Sequence, residues 1–481
     1  MSVHMLDINL ITLLPEILIA LLGLVLLLMS AWGDANRGTR ISMMAIAGVV
    51  LAALLSSKGT DATSFNGFFL NDAFARAMKI LLYVATGSVL YMSLDFMKSH
   101  KLDGGEYQVL TLMALLGGML MSSAGDFLIL YLGLELMSLS IYVLAAMRRD
   151  DIRSNEAGLK YFVLGSMASG FLLYGISLIY GTTGTTLFTG IATALGGAHG
   201  QINPATVVGV VLVLAGMSFK VAAAPFHMWA PDVYEGAPTS VTAFMAVLPK
   251  VAAFAAFFRV LLTAFPQLHT QWVPLLQLLA MASLAVGAFA AIGQTNIKRM
   301  LAYSSIGHVG FILLGLSAHN ALGYQSVVFY LAIYILTSVG TFAIILLLNR
   351  EGIGDETSDY KGLAHKRPLL GFLMSMFMFS MAGIPPLAGF MGKLYVFMAA
   401  IESGMMGLAI LGVLFSAVGA FYYLRIVKFM YFDQPKEGAF TMTLSSPIRA
   451  VLAVTSVIIL VWGVLPGSLL NWTAASVKTF L

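Results

Sequence analysis

Cysteine does not occur in this 481-residue chain. Disulfides are therefore impossible, a thiolate-held iron–sulfur cluster is excluded, and neither a cysteine zinc site nor a cysteine nucleophile can be built. Charge is scarce too: 10% of residues are Asp, Glu, Lys or Arg, against about 25% in soluble domains. The net charge of +4 is small, and its cations fall in short loops rather than in one stripe. That argues against nucleic-acid binding. No Gly-rich nucleotide loop is present. No basic region followed by a cleavage site opens the chain, so no removable signal peptide is expected.

What is there is apolar. Hydrophobic residues make up 59% of the chain, with 47 glycines and 29 methionines, and the mean hydropathy is +0.91. Hydrocarbon is the main solvent for such a chain. A spanning helix needs about 20 apolar residues. About fourteen candidates meet that need, near 8–31, 41–57, 72–95, 106–123, 126–147, 156–180, 204–229, 239–264, 272–293, 298–317, 320–348, 368–401, 404–432 and 447–466. The fold class is an all-α polytopic membrane protein. The longest polar connection, 349–368, has the composition of a surface helix or a partner contact.

Loop cations set the orientation. Alternate loops carry Arg37 and Arg40; Lys98 and Lys101; Arg148, Arg149 and Arg153; Lys298 and Arg299; Arg350, Lys361, Lys366 and Arg367; and Lys428, Lys436 and Arg449. The opposite set holds Lys58, and Lys478 near the C-terminus. The basic loops are thus expected in the cytoplasm and both termini outside. Spans 7 and 12 contain Pro225 and the pair Pro385 and Pro386, and stand five apart. A five-helix unit repeated in tandem is inverted in the membrane, because five is odd. Interrupted helices at matching places in two halves are a transporter signature. The expected organisation is an N-terminal three-helix segment (1–105), a first repeat of spans 4–8 (106–265), a second, inverted repeat of spans 9–13 (266–432), and a C-terminal segment with span 14 (433–481).

Several ionisable groups lie inside these spans: Glu135 in span 5, Lys160 near the start of span 6, Lys220 in span 7, Lys250 in span 8, His308 in span 10 and Lys393 after the break in span 12. Each charge at the bilayer centre costs about 2.5–3.5 kcal/mol, so the groups must face the interior or water. Pro225 removes an N–H and frees the carbonyl of Val221, beside Lys220. Pro385 and Pro386 do the same for Met381 and Ala382, before Lys393. Freed carbonyls and the water they attract suit a buried ammonium. Glu135, Lys220, Lys250 and Lys393 read as functional. Lys160 reads as a proton-transfer group or as a snorkelling side chain, Arg259 is placed to snorkel, and His308 and His227 read as relay groups or as core histidines. Asp72 and Arg76 stand at i,i+4 beside Lys79 and read as structural.

Four segments carry a resemblance: GLELMSLSIYVL (133–144), APFHMWAPDVYEGAPTSVTAF (224–244), NIKRMLAYSSIGHVGF (296–311) and FSMAGIPPLAGFMGKLYVF (379–397). Together they resemble the antiporter-like membrane subunits of respiratory complex I, over most of the chain. Within that family Lys393 resembles the lysine-bearing branch, since another branch typically has glutamate there. The resemblance implies a bacterial inner membrane and a proton-translocating membrane-arm subunit of NADH:quinone oxidoreductase. It implies that Glu135 pairs with Lys220, that Lys160 modulates the pair, that Lys250 is the central lysine and that Lys393 lies near the exit. It implies no cofactor in this chain, with FMN, iron–sulfur clusters and quinone in partner subunits of the membrane and peripheral arms. Membrane lipids, water and protons would be its other partners.

The expected mechanism is proton transfer by switching the proton affinity of buried lysines. A carboxylate about 6 Å away, at an effective dielectric near 20, contributes about 2.8 kcal/mol, so opening the pair loosens the proton on Lys220 about a hundredfold. Moving one charge against about 150 mV costs about 3.5 kcal/mol. The proton would pass from Lys220 to Lys250, then by His308 to Lys393. Two alternatives remain at this stage: a stand-alone or Mrp-type cation/proton antiporter subunit, and a non-pumping scaffold.

Overall fold

In the computed structural model the chain is a helical bundle, described for residues 9–32, 37–100, 102, 104–197, 202–350, 352–435, 440 and 443–481. Lys101 and Lys436, two of the loop cations, lie outside the described residues. The N-terminal part holds α1 (Leu14–Ala31), α2 (Arg37–Ser57), a hairpin of β1 (Ala62–Ser64) and β2 (Phe69–Asn71), α3 (Ala73–Met92) and the short α4 (Leu94–Ser99). Next come α5 (Glu106–Ser123), α6 (Phe127–Ala145), α7 (Ile152–Thr183), the short α8 (Phe188–Gly196), α9 (Pro204–Val221), α10 (Trp229–Gly236) and α11 (Thr239–Phe258). The rest is α12 (His269–Ala290), α13 (Ile297–Ser317), α14 (Ala321–Asn349), the short α15 (Leu363–Lys366), α16 (Pro368–Ala382), α17 (Ala388–Glu402), α18 (Met406–Phe432), α19 (Ser446–Val464) and α20 (Gly467–Val477).

Twelve helices among the described residues are long and apolar enough to cross a membrane. The two remaining candidates take other forms. Residues 106–123 form α5, which is less apolar because Glu106, Gln108 and two serines occupy its ends. Residues 368–401 form two halves, α16 and α17, of 15 residues each.

Helix starts follow local chemistry. Asp72, Asp126, Asp151, Asn203, Asn296 and Asn320 each accept a backbone N–H in the first turn of the helix that follows, which satisfies an otherwise orphaned donor. Two helices, α11 along its whole length and α14 along all but its ends, are buried and form the axis of the bundle. A helix apolar all round belongs there. The remaining helices pack around them, with α7 against α9, α5 against α6 and α12 against α13. Small residues permit these approaches: a Cβ on Gly175 would stand 2.7 Å from Gly209 O, and one on Gly209 2.9 Å from Gly175 O. This draws α9, the helix of Lys220, tightly onto α7.

Both interrupted helices stop in the left-handed region, at Ala222 (φ 59°) and Gly383 (φ 85°). Ala222 N–H bonds Phe219 O and Ala223 N–H bonds Ser218 O; Gly383 and Ile384 N–H both bond Phe379 O. Pro225, Pro385 and Pro386 lie exposed on the surface of the bundle. They turn the chain outward at the break while the neighbouring lysines point in.

Several expectations need correction. Residues 352–368 form no long surface helix; Thr357–Tyr360 is a single 3-10 turn, Tyr360 is fully buried, and Asn296 bridges Glu356. Arg76 pairs with Asp61 at 2.7 Å, not with Asp72. Asp72 instead caps α3 through Ala75 N–H at 2.8 Å and receives both terminal nitrogens of Arg259 at 2.7 Å. Arg259 is only 1% exposed, so it does not snorkel. Its guanidinium also donates to Ser122 O, because a fork with five donors can tie three chain segments together.

Candidate functional site

The interior polar groups gather in separate clusters inside the bundle. On α6, Glu135, Ser138 and Tyr142 stand at i, i+3 and i+7, one face of a helix. Lys220 comes from the last turn of α9 and meets that face. Its ammonium donates to Ser138 Oγ at 2.8 Å and to Tyr142 OH at 3.1 Å. Ser138 donates its own proton to Leu134 O, which leaves its oxygen free to accept. Glu135 is half-buried and makes no ion pair with Lys220, though it stands within electrostatic reach of Lys220 and Tyr142. Its Oε1 is buried without a hydrogen-bond partner among the described residues.

The carbonyls freed at the first break do not serve Lys220. Phe219 O accepts the indole N–H of Trp229 at 2.9 Å, and Ala224 N–H goes to Ser283 Oγ. At the second break the freed carbonyl of Ala382 does accept from Lys393, at 2.8 Å, beside Ser416 Oγ at 2.8 Å. The ring of Phe311 lies 4.9 Å from the same ammonium.

Lys250 sits at the centre of α11 and is 2% exposed. It donates to Tyr234 OH at 2.7 Å, and the Tyr234 and Tyr334 rings flank it at 5.4 and 5.9 Å. Pro249 precedes it inside the helix and removes the N–H that Met245 O would receive. Tyr234 OH turns to that carbonyl, at 3.4 Å. His308, on α13, contacts Tyr330 OH through Nδ1 at 2.8 Å and Tyr423 OH through Nε2 at 3.2 Å. Tyr423 bonds in turn to Ser304. His308 lies within electrostatic reach of both Lys250 and Lys393. It borders two small cavities, of about 20 Å³ towards Lys393 and about 10 Å³ towards Tyr334, each about the size that admits one water.

Lys160 and His227 lie elsewhere. Lys160 is 41% exposed and pairs with Glu156 and Asp232, both at 2.7 Å; it makes no contact with the Lys220 group. His227 is half-buried in the first break, and its Nδ1 has no hydrogen-bond partner among the described residues. The hydroxyls of Ser138, Tyr142, Tyr234, Tyr330, Tyr423 and Ser416 escaped the sequence reading. Only the first two had a legible signal, their spacing from Glu135. A further buried pair, Lys79 with Glu16 at 2.5 Å, joins α3 to α1.

A helical bundle with two interrupted helices and isolated lysines in its interior defines an antiporter-like membrane subunit. The comparisons agree. The family described as NADH:quinone oxidoreductase/Mrp antiporter, TM matches residues 124–419. NADH-quinone oxidoreductase subunit N of Magnetococcus marinus is 56% identical over 100% of both chains, and that of Paramagnetospirillum magneticum is 50% identical over 98% of each. A chain of respiratory complex I from Thermus thermophilus is 34% identical, covers 96% of this chain and 99% of its own, and superposes with a TM-score of 0.81. A chain of the Mrp complex from Dietzia, 21% identical with 98% of each chain covered, shares the fold at a TM-score of 0.84. The chain belongs to the subunit N family of NADH-quinone oxidoreductases.

Proposed function

We propose that the chain is a proton-translocating membrane-arm subunit of a bacterial NADH:quinone oxidoreductase, with Lys220, Lys250, His308 and Lys393 as the relay. One observation carries the reading. Lys220, Lys250 and Lys393 are each buried, and neutral hydroxyl or carbonyl oxygens hold all three ammonium groups. Lys79 shows what a structural lysine looks like in the same bundle: it is clamped by a carboxylate. A buried ammonium without a counter-ion is costly, and its proton is correspondingly easy to move. Hydroxyls and single waters solvate the charge without trapping it.

Glu135 biases the first lysine from a distance, and a shift of α6 against α9 changes that bias. The relay runs from Lys220 to Lys250, past Tyr334 and its adjoining cavity to His308, and through the second cavity to Lys393. The interrupted helices belong to two inverted units, 106–265 and 266–432. With the basic loops in the cytoplasm of a bacterium and both termini in the periplasm, the direction is outward. Flavin, iron–sulfur clusters and quinone belong to partner subunits, whose redox reaction drives the shift, and membrane lipids cover the outer helices.

The test is Lys220→Ala in the assembled complex, with NADH oxidation and proton uptake by inverted vesicles measured together. Loss of uptake with assembly retained is expected; normal electron transfer with normal uptake removes Lys220 from the mechanism. Sodium- or potassium-dependent proton exchange without an electron donor would favour an antiporter, consistent with the shared Mrp fold.

A further inference from the structure

The short helix α10 joins groups that the relay alone leaves unconnected. One side of it meets a cavity of about 250 Å³ lined by Arg153, Glu156, Lys160, Asp232, Glu235 and Arg299. Asp232 is the hub of that cavity. Its Oδ2 accepts from Lys160 Nζ at 2.7 Å and its Oδ1 from Arg299 at 2.6 Å. Arg299 also reaches Glu235 at 3.1 Å. Lys160 belongs to α7 and Arg299 to α13, so this one carboxylate ties α10 to a helix from each half of the bundle.

Tyr234 lies two residues further on. Residues two apart on an α-helix point about 200° apart, so Tyr234 leaves the opposite side of α10. There its hydroxyl is the hydrogen-bond acceptor of Lys250, at 2.7 Å. Trp229, in the first turn, stacks on Tyr161 with ring centroids 4.2 Å apart and planes at 7°, and seals Phe219 O in the break. Eight residues thus carry an ion cluster on one flank and the partner of the central lysine on the other. Residues 222–228, between the end of α9 and the start of α10, are irregular.

We infer that Asp232 is a positioning residue for proton transfer: clamped between Lys160 and Arg299, it sets the placement of α10 and, through Tyr234, the solvation of the Lys250 ammonium. This rests on the reading of Lys250 as a relay group. The consequence is that charge in the Asp232 cavity acts on a lysine in the middle of the bundle with which it shares no contact. Glu235 and Arg299 belong to the same device; Lys160 acts here, on Lys250, and not on the Glu135–Lys220 group.

The experiment is a double-mutant cycle in the assembled complex, reading protons taken up per NADH oxidised in inverted vesicles. Asp232→Asn keeps the shape and removes the charge; Tyr234→Phe keeps the ring and removes the acceptor. Each is expected to lower the coupling ratio, with NADH oxidation retained. The double variant is expected to be no worse than the weaker single, because both act on one contact. Asp232→Glu, which alters size but keeps charge, is expected to recover most of the loss; a role in packing alone would not give that order. If Asp232→Asn does not assemble, Arg299→Lys replaces it in the cycle. Full coupling in Asp232→Asn, losses that multiply in the double variant, or no recovery with Asp232→Glu each overturn the inference. Lys250→Ala separates the levels: uncoupling there with the Asp232 variants normal defeats this inference alone, and full coupling there defeats the relay reading and this one with it.

Discussion

Glu135 and Lys220 do not touch. The ammonium of Lys220 is hydrogen-bonded to Ser138 and Tyr142, and the carboxylate acts on it only through space. An ion pair would hold the proton on Lys220 and the two helices in one register. Two hydroxyls on the same face of α6 satisfy the ammonium and leave the carboxylate as an adjustable field. A charge about 8 Å away at an effective dielectric near 20 is worth about 2 kcal/mol. Each further ångström of separation removes only about 0.2 kcal/mol of that term, so the bias changes appreciably only if the carboxylate is displaced by several ångströms or loses its charge.

The first prediction follows. Glu135→Gln removes the field and leaves every hydrogen bond of Lys220 in place. Assembly and NADH oxidation are expected to persist, with proton uptake per NADH reduced. Uptake at the parental ratio would show that the carboxylate does not bias the lysine.

Gly165 supplies a second. Tyr142 OH lies against its Cα, where a Cβ would overlap the hydroxyl and the ring carbon that bears it. In an exposed helix Gly→Ala stabilises by about 1 kcal/mol. Here Gly165→Ala is expected to push Tyr142 off Lys220 and to lower proton uptake while the complex still assembles. Gly170, on the same helix with open space around it, is the control: Gly170→Ala is expected to leave uptake unchanged and to raise the melting temperature slightly.

How far the sequence foretold this arrangement depends on the kind of information needed. Hydropathy marks the spans because each helix must satisfy the bilayer by itself. The deep lysines stand out for the same reason, and Pro225, Pro385 and Pro386 announce the breaks through their missing N–H groups. Partners are another matter. Tyr234 reaches Lys250 only because α10 packs back beside α11, and Tyr423 reaches His308 from α18; no periodicity along one helix encodes either contact. Arg259 read as a snorkelling end residue because its distance from Asp72 in sequence hid a two-point ion pair. Glu16 sat unnoticed at the start of the first span until α3 brought Lys79 to it.

That last pair makes a third prediction. Lys79 is fully buried and Glu16 nearly so. Removing one partner leaves a buried charge and costs about 3–5 kcal/mol, whereas removing both is often near neutral. Lys79→Met or Glu16→Gln alone is expected to lower the melting temperature of the detergent-solubilised complex, and the double variant to recover most of it. Proton uptake per NADH is expected to stay at the parental ratio in the double variant, because the pair belongs to the packing of α1 on α3.

The pair of Asp72 and Arg259 makes the fourth, and its pH dependence has a definite sign. Burial pushes the Asp72 carboxyl up, but the Arg259 guanidinium, the N–H of Ala75 and nearby Arg76 together hold it below its ordinary 3.8. A group whose folded value is depressed binds fewer protons folded than unfolded, so its stabilisation is complete above 3.8 and is lost as pH falls through the lower, folded value. Asp72→Asn removes that dependence. At neutral pH the variant is expected to be less stable by about 3–5 kcal/mol, the scale of one buried partner lost, because Arg259 keeps its charge with only neutral oxygens, Ser122 O and the amide oxygen at position 72, to receive it. Below about pH 4 the parent loses its advantage and the two melting curves are expected to converge. Parallel curves from neutral to acid pH would mean that the charge of Asp72 does not contribute to stability. Arg259→Met removes the cation and keeps its packing against Phe74; combined with Asp72→Asn, whose amide oxygen still caps α3, it is expected to restore stability.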